Sequence, residues 1–203
     1  MVAAAAPMPL AMARQSPKIE ALTQADMVGA TAVLNEGFGS KFCCCCFPGT
    51  ESVADVSSRY TKCPAKLGVS AVAKGEDGSV LGVLLMAEYG MPVYPPGLHS
   101  NKPGEMYIEQ LAVSSAARGQ GIGGMLIDWG ESVARQRGAK MLSLGVLNGN
   151  PAIRLYEKKG FVKKQSDPCD TCCSIIIICW LMGRPYGLCS PHVGGMDMQK
   201  PLS

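Results

Sequence analysis

No stretch of this chain approaches the ~20 consecutive apolar residues that a membrane-crossing helix needs; the strongest apolar run, Ile175 to Met182, has eight. The first thirteen residues, Met1 to Ala13, carry no side-chain charge, contain two prolines and lack the basic start of a secretory signal. They read as a disordered tail, although the lack of any acid before Glu20 leaves a transit peptide open, with Arg14 and Ser16 as thin support. Charge of one sign is also scarce. A net charge of +3 over 203 residues is too mild to argue for nucleic acid, and suits a polyanionic small molecule as well as it suits an ordinary soluble protein. Without a secretory start, the ten cysteines do not read as a disulfide framework. A soluble, cytoplasmic protein is expected. With 47% hydrophobic residues there is material for one domain with a sizeable core.

What is present concentrates between Met106 and Gly138. Tyr107, Glu109, Leu111 and Val113 alternate with Ile108, Gln110 and Ala112, the period-2 signature of a half-buried strand. Ile122, Met125, Leu126, Trp129 and Val133 then recur at helical spacing. Between the two patterns lie Arg118, Gly119, Gln120, Gly121, Ile122, Gly123 and Gly124. Glycines where a strand feeds a helix let backbone N–H groups converge on phosphate oxygens, and the helix start adds partial positive charge. A Walker loop is excluded, because no Lys-Ser or Lys-Thr pair follows the glycines. Gly119, Gly121 and Gly124 satisfy G-x-G-x-x-G literally, but the acid that should hold a ribose about 20 residues on has no candidate between Glu131 and Glu157. A tight turn alone would account for one or two of the glycines, not for four beside an arginine.

Arg118-Gly119-Gln120-Gly121-Ile122-Gly123 resembles the Arg/Gln-x-x-Gly-x-Gly/Ala signature of the GNAT superfamily, the Gcn5-related N-acetyltransferases. Leu111-Ala112-Val113 resembles the family's fourth strand. Asn150 to Phe161 resembles its N-x-x-A-x-x-x-Y-x-x-x-G-F segment. The resemblance is specific from Met106 to Phe161 and loose over the rest of Lys18 to Leu202. It implies an α/β fold (α+β mixed), with a central, mostly antiparallel sheet flanked by helices, and acetyl-CoA as cosubstrate. Its pyrophosphate would lie on the loop from Arg118 to Gly124, with Leu111, Ala112 and Val113 along the cofactor arm and Asn150 capping a helix, contacting the pantetheine, or both.

The expected order of elements is β-α-α-β-β-β-α-β-α-β-β. Residues 1–16 read as tail and 17–203 as one domain, carrying a cysteine-rich insertion at about 165–192. Thr23 with Asp26 reads as a weak capping box opening a first helix that buries Met27, Ala30, Thr31, Leu34 and Phe38 and ends at Gly37 and Gly39. A second helix is expected from Thr50 to just before Pro64, presenting Val53, Val56 and Tyr60. In the resembling family the segment between these helices lines the acceptor groove. Lys74 to Ser79 has hairpin-turn chemistry, and Tyr89 to Gly104 is a long proline-rich loop. Asn150 followed by Pro151 opens another helix that Gly160 ends, and Ser174 to Trp180 reads as a buried strand.

Acetyl transfer to an amine needs a neutral amine, a stabilised oxyanion and a protonated leaving thiolate. A lysine amine with a pKa of about 10.4 is neutral once in roughly 2,500 molecules at pH 7, a cost of about 4.6 kcal/mol; an α-amino group at about 7.8 costs about 1 kcal/mol. A base helps either. Glu109 is the candidate, acting directly or through water, with a paired strand carboxylate as the alternative. Tyr107 stands where histone-acetylating relatives carry glutamate, and Gly145 where enzymes acting on ribosomal N-termini carry theirs. Tyr156 matches the family's tyrosine that protonates the leaving sulfur. Cys169, Cys172, Cys189 and His192 approach zinc spacing, yet packing by the isoleucines is expected to make metal unnecessary. The reading is an N-acetyltransferase that works by direct transfer in a ternary complex, on a protein or small-molecule amine, as a monomer or homodimer. The alternative is a degenerate fold member that binds acyl-CoA or a protein partner without turnover.

Overall fold

The computed structural model describes residues 17–38, 50–96, 99–164 and 195–202. The isoleucine run, the Cys43 to Cys46 row and the proposed Cys169, Cys172, Cys189 and His192 set lie outside them.

Seven strands form one sheet in the order β1-β2-β3-β4-β5-β7-β6. They are β1 Lys18–Ala21, β2 Ala71–Lys74, β3 Val80–Glu88, β4 Glu105–Val113, β5 Met141–Leu147, β6 Val162–Lys163 and β7 Gly195–Pro201; the helices are α1 Met27–Phe38, α2 Val53–Lys62, α3 Ile122–Gln136 and α4 Ile153–Lys158. Every neighbouring pair is antiparallel except β4 and β5, which run parallel through the α3 crossover. The order of strands and helices is the expected one.

Two apolar layers cover the sheet. On one face α3 and α4 pack Ile122, Leu126, Ile127 and Tyr156 against Leu84, Met86 and Ile108. On the other, α1 and α2 pack Met27, Leu34, Val56 and Tyr60 against Val72, Val83, Leu85 and Ala112. Asp26 caps the turn before α1, accepting from the Thr23 N–H at 2.9 Å and from its hydroxyl at 2.6 Å. Gly37 does not end α1 but lies inside it, where a Cβ would come within 3.0 Å of Ala112 Cβ. Glycine lets the helix sit close on β4. The second helix starts later than Thr50, because Ser52 and Asp55 form the stronger capping box: the Asp55 N–H donates to Ser52 Oγ at 3.1 Å. Val53, expected on its buried face, is 38% exposed.

The feature that matters most is an irregularity in β4. Leu85 pairs with Gln110 and Met86 with Ile108, so Glu109 is an extra residue with no partner on β3. This bulge resets the alternation: Ile108, Leu111 and Val113 pack on the α3 side, while Ala112 packs on the α1 side. The expectation that Tyr107, Leu111 and Val113 share a face is therefore corrected. Beyond the bulge β4 also leaves β5, since their pairing stops at Ile108 with Leu144.

Candidate active site

Where β4 and β5 part, each strand turns an unpaired edge toward the gap. The Ser114 N–H donates to Leu81 O on β3 at 2.9 Å, so the two-residue alternation of a strand turns the amides of Ala112 and Gln110 to β3 as well. Leu111 and Val113 then present theirs to the gap. Of the three residues expected along the cofactor arm, Leu111 and Val113 are placed to pair with an extended ligand, whereas Ala112 is turned away.

At the same end of the sheet α3 begins. Its first intrahelical hydrogen bond runs from the Met125 N–H to Gly121 O at 3.1 Å, so the amides of Ile122, Gly123 and Gly124 have no acceptor within the helix. Gly119 and Gly121 have φ of +77° and +83°, and among the described residues a Cβ on either would meet nothing within 4 Å beyond its chain neighbours. Their openness is on the ligand side, a cradle that side chains would fill. Gly123 and Gly124 have a different use: a Cβ on them would come within 3.1 Å of Leu155 Cδ2 and Lys159 Cε, so their smallness seats α4 against α3. Lys159 and Asp128 join the two helices by an ion pair at 2.6 Å. Arg118 Nε donates to Val113 O at 3.1 Å, tying the loop to the open strand edge; Gln120 is exposed. These groups fit a pyrophosphate with an extended arm running along β4.

Tyr156 lies on the α3–α4 face, 8% exposed, its ring edge-on to Phe161 at 5.9 Å and 61°. Burial pushes its phenol up to about 12, so it stays protonated across any working pH. Asn150 does not cap α4, whose N-cap is Ala152; its Oδ1 accepts from the Ala152 N–H at 3.0 Å and closes the turn that leads into the helix.

The opposite face of the gap is polar. The Glu109 side chain is 1% exposed and bound by Lys66 Nζ at 2.6 and 2.7 Å, with the Tyr94 N–H donating at 2.7 Å. Lys66, equally buried, spends its third donor on Pro92 O at 3.0 Å. Burial pushes the Glu109 carboxyl above the usual carboxylate range, and the Lys66 ammonium and the Tyr94 N–H draw it back. The pair holds the loop after β3 at Pro92 and Tyr94, and the Arg59 guanidinium stacks on the Tyr94 ring at 3.2 Å. Further along, His99 stacks on Tyr107 at 4.0 Å and meets Glu105 Oε1 at 3.0 Å, while Lys102 N–H and Ser143 Oγ also donate to Glu105. Burial alone would raise the Glu105 carboxyl; these donors outweigh it and hold it low.

Sequence reasoning missed Lys66, which sits in a run, Pro64 to Val69, that gives no sign of a buried cation. It also missed Asp197, which reaches the site only through the pairing of β7 with β5.

The gap between parallel strands and the amide cradle at one end of it leave room for an extended, phosphate-bearing ligand. The sequence pattern of the Acetyltransferase (GNAT) family matches residues 42–161, more than half the chain, and the protein belongs to that family. A curated relative, acetyltransferase Atu2258 of Agrobacterium fabrum, is 40% identical over 60 residues, 30% of this chain and 43% of that protein. The match thus spans under half of that relative's length. Among solved structures, a GCN5-related N-acetyltransferase from Kribbella flavida is similar at a TM-score of 0.63 and 20% identity, over 92% of this chain and 98% of that one. The Sinorhizobium meliloti phosphinothricin acetyltransferase in complex with acetyl-CoA gives 0.61 and 17%, over 92% and 89%. At these identities the likeness shows the fold: a mixed sheet, mostly antiparallel, flanked by helices.

Proposed function

We propose that this acetyltransferase moves the acetyl group of acetyl-CoA to a primary amine by direct attack in a ternary complex. The observation that carries the reading is the two-sided gap between β4 and β5. Its α3–α4 side holds the amide cradle and Tyr156, and the open edge of Leu111 and Val113 runs along it. Its other side is a polar wall built from Glu109, Tyr94 and Tyr107. Two ligands entering from opposite faces meet at the strand ends without displacing one another, as direct transfer requires.

Acetyl-CoA supplies an activated acetyl thioester. The amides from Gly119 to Gly124 hold its pyrophosphate, with Arg118 beside them adding charge, and those of Leu111 and Val113 hold its arm. Tyr156, a phenol at working pH, donates a proton to the departing sulfur. Glu109 serves the acceptor side by holding the Pro92–Tyr94 wall through its pair with Lys66; a carboxylate 1% exposed with three donors on it is placed to position rather than to touch the amine. The amine gives up its proton to water at the wall.

The reading is tested by melting the protein with acetyl-CoA and with NAD. At 100 times Kd a ligand adds about 2.7 kcal/mol, worth about 5–10 °C for a chain of this size. Acetyl-CoA should give that shift and NAD none. Gly121→Val should abolish the shift, because it places a branched side chain in the open cradle at a φ that valine rarely adopts. A shift with NAD alone would show the cradle to be a dinucleotide site. A shift with acetyl-CoA but no transfer to any amine would favour the degenerate binding module.

A further inference from the structure

Gly145 is the first β5 residue beyond the last β4–β5 pair, so it stands at the apex of the gap. Its missing side chain leaves a notch on the polar face with two oxygens aimed into it. An ideal Cβ there would lie 3.1 Å from Tyr107 Oη and 3.8 Å from Asp197 Oδ1. Asp197 is directly opposite Gly145 on β7. The tyrosine is held by its ring, which lies flat on His99, and its hydroxyl oxygen borders the space over Gly145. A phenolic oxygen has two lone pairs and can accept a hydrogen bond there.

The charges around the notch are unequal. Glu109 is matched by Lys66, and Glu105 is engaged by the Lys102 N–H and Ser143 Oγ. Asp197 meets, among the described residues, only Lys164 at 3.8 Å, with both side chains about half exposed, a pair that water largely screens. Among the described residues, the local balance at the apex is negative.

We propose that Asp197 and Tyr107 form the amine-binding notch of the acetyltransferase, with the acceptor nitrogen over Gly145 donating one N–H to the Asp197 carboxylate and another to Tyr107 Oη. This inference rests on the N-acetyltransferase reading and names the group that the acceptor must carry there: a primary amine, taken up as its ammonium form, which loses one proton to water before it attacks and a second after the attack, the latter replacing through water the proton that Tyr156 gives to sulfur. Neither Glu109 nor Tyr156 supplies an anion at that point. The expected base position of related enzymes, Gly145 here, is thus open for substrate, and its charge comes from the neighbouring strand.

The test is steady-state transfer from acetyl-CoA to three probes: a lysine peptide, an alanine-led peptide and spermidine. Asp197→Asn, nearly isosteric and at a half-exposed position, should raise KM for the amine used best by about tenfold or more, as losing a hydrogen bond to a charged group does. KM for acetyl-CoA and the melting temperature should not move. Gly145→Ala, which fills the notch, should also raise amine KM while sparing that of acetyl-CoA. If the wild type transfers acetyl and both variants keep its amine KM, the notch is refuted and the acetyltransferase reading stands. A wild type that binds acetyl-CoA but acetylates none of the probes refutes both.

Discussion

Glu109→Gln should cost the folded protein about 3–5 kcal/mol, because it leaves the Lys66 ammonium buried without its counter-charge. Both side chains are 1% exposed, so solvent cannot replace what is lost. The amide is no substitute: Lys66 Nζ bonds both carboxylate oxygens, so the NH2 group must face it whichever way the amide turns, donor against donor. Melting should fall by about 6–20 °C. Removing the cation as well, in Glu109→Gln/Lys66→Met, should recover much of this, since two uncharged side chains of similar size do not carry the desolvation cost. A urea or thermal melt of the wild type, both single variants and the double variant closes the cycle. A Glu109→Gln protein that melts like wild type yet loses its transfer rate would make Glu109 a direct base and contradict the positioning role.

Tyr156→Phe should slow acetyl transfer by about 10²- to 10⁴-fold, the usual worth of a positioned acid, with acetyl-CoA binding unchanged. The ring contact with Phe161 survives the substitution and only the hydroxyl is lost. With its pKa pushed up to about 12, the tyrosine should impose no limb of its own on the pH–rate profile below about pH 10. Single-turnover rates beside the acetyl-CoA melting shift separate the two effects. A rate within twofold of wild type would reduce Tyr156 to packing beside Phe161.

The glycine-rich turn, the strand before it and the helix after it were legible because each is a local pattern: period 2, then N–H groups freed by glycine, then period 3.6. The capped start of α1 was legible for the same reason. What escaped were features created by pairing. The bulge at Glu109 is invisible to a period-2 reading, since whether a strand carries an extra residue depends on its partner's register, and it reverses the faces of everything from Gln110 onward. Gly123 and Gly124 looked like the rest of the cradle, but their neighbours are Leu155 of α4 and Lys159 at its C-terminal end, 30 or more residues later. Lys66 resembles any surface lysine until Glu109, 43 residues away, is folded over it. Asp197 carries no local signal, because it enters the site only when β7 inserts between β5 and β6.

The most direct measurement is the appearance of free coenzyme A thiol when the protein is given acetyl-CoA with and without a primary amine. The account predicts thiol release that depends on the amine, saturates with both substrates, yields acetylated amine in equal amount, and falls sharply in Tyr156→Phe. Thiol release at the same rate with and without any amine, or none at all from a protein that acetyl-CoA does not stabilise, would contradict it.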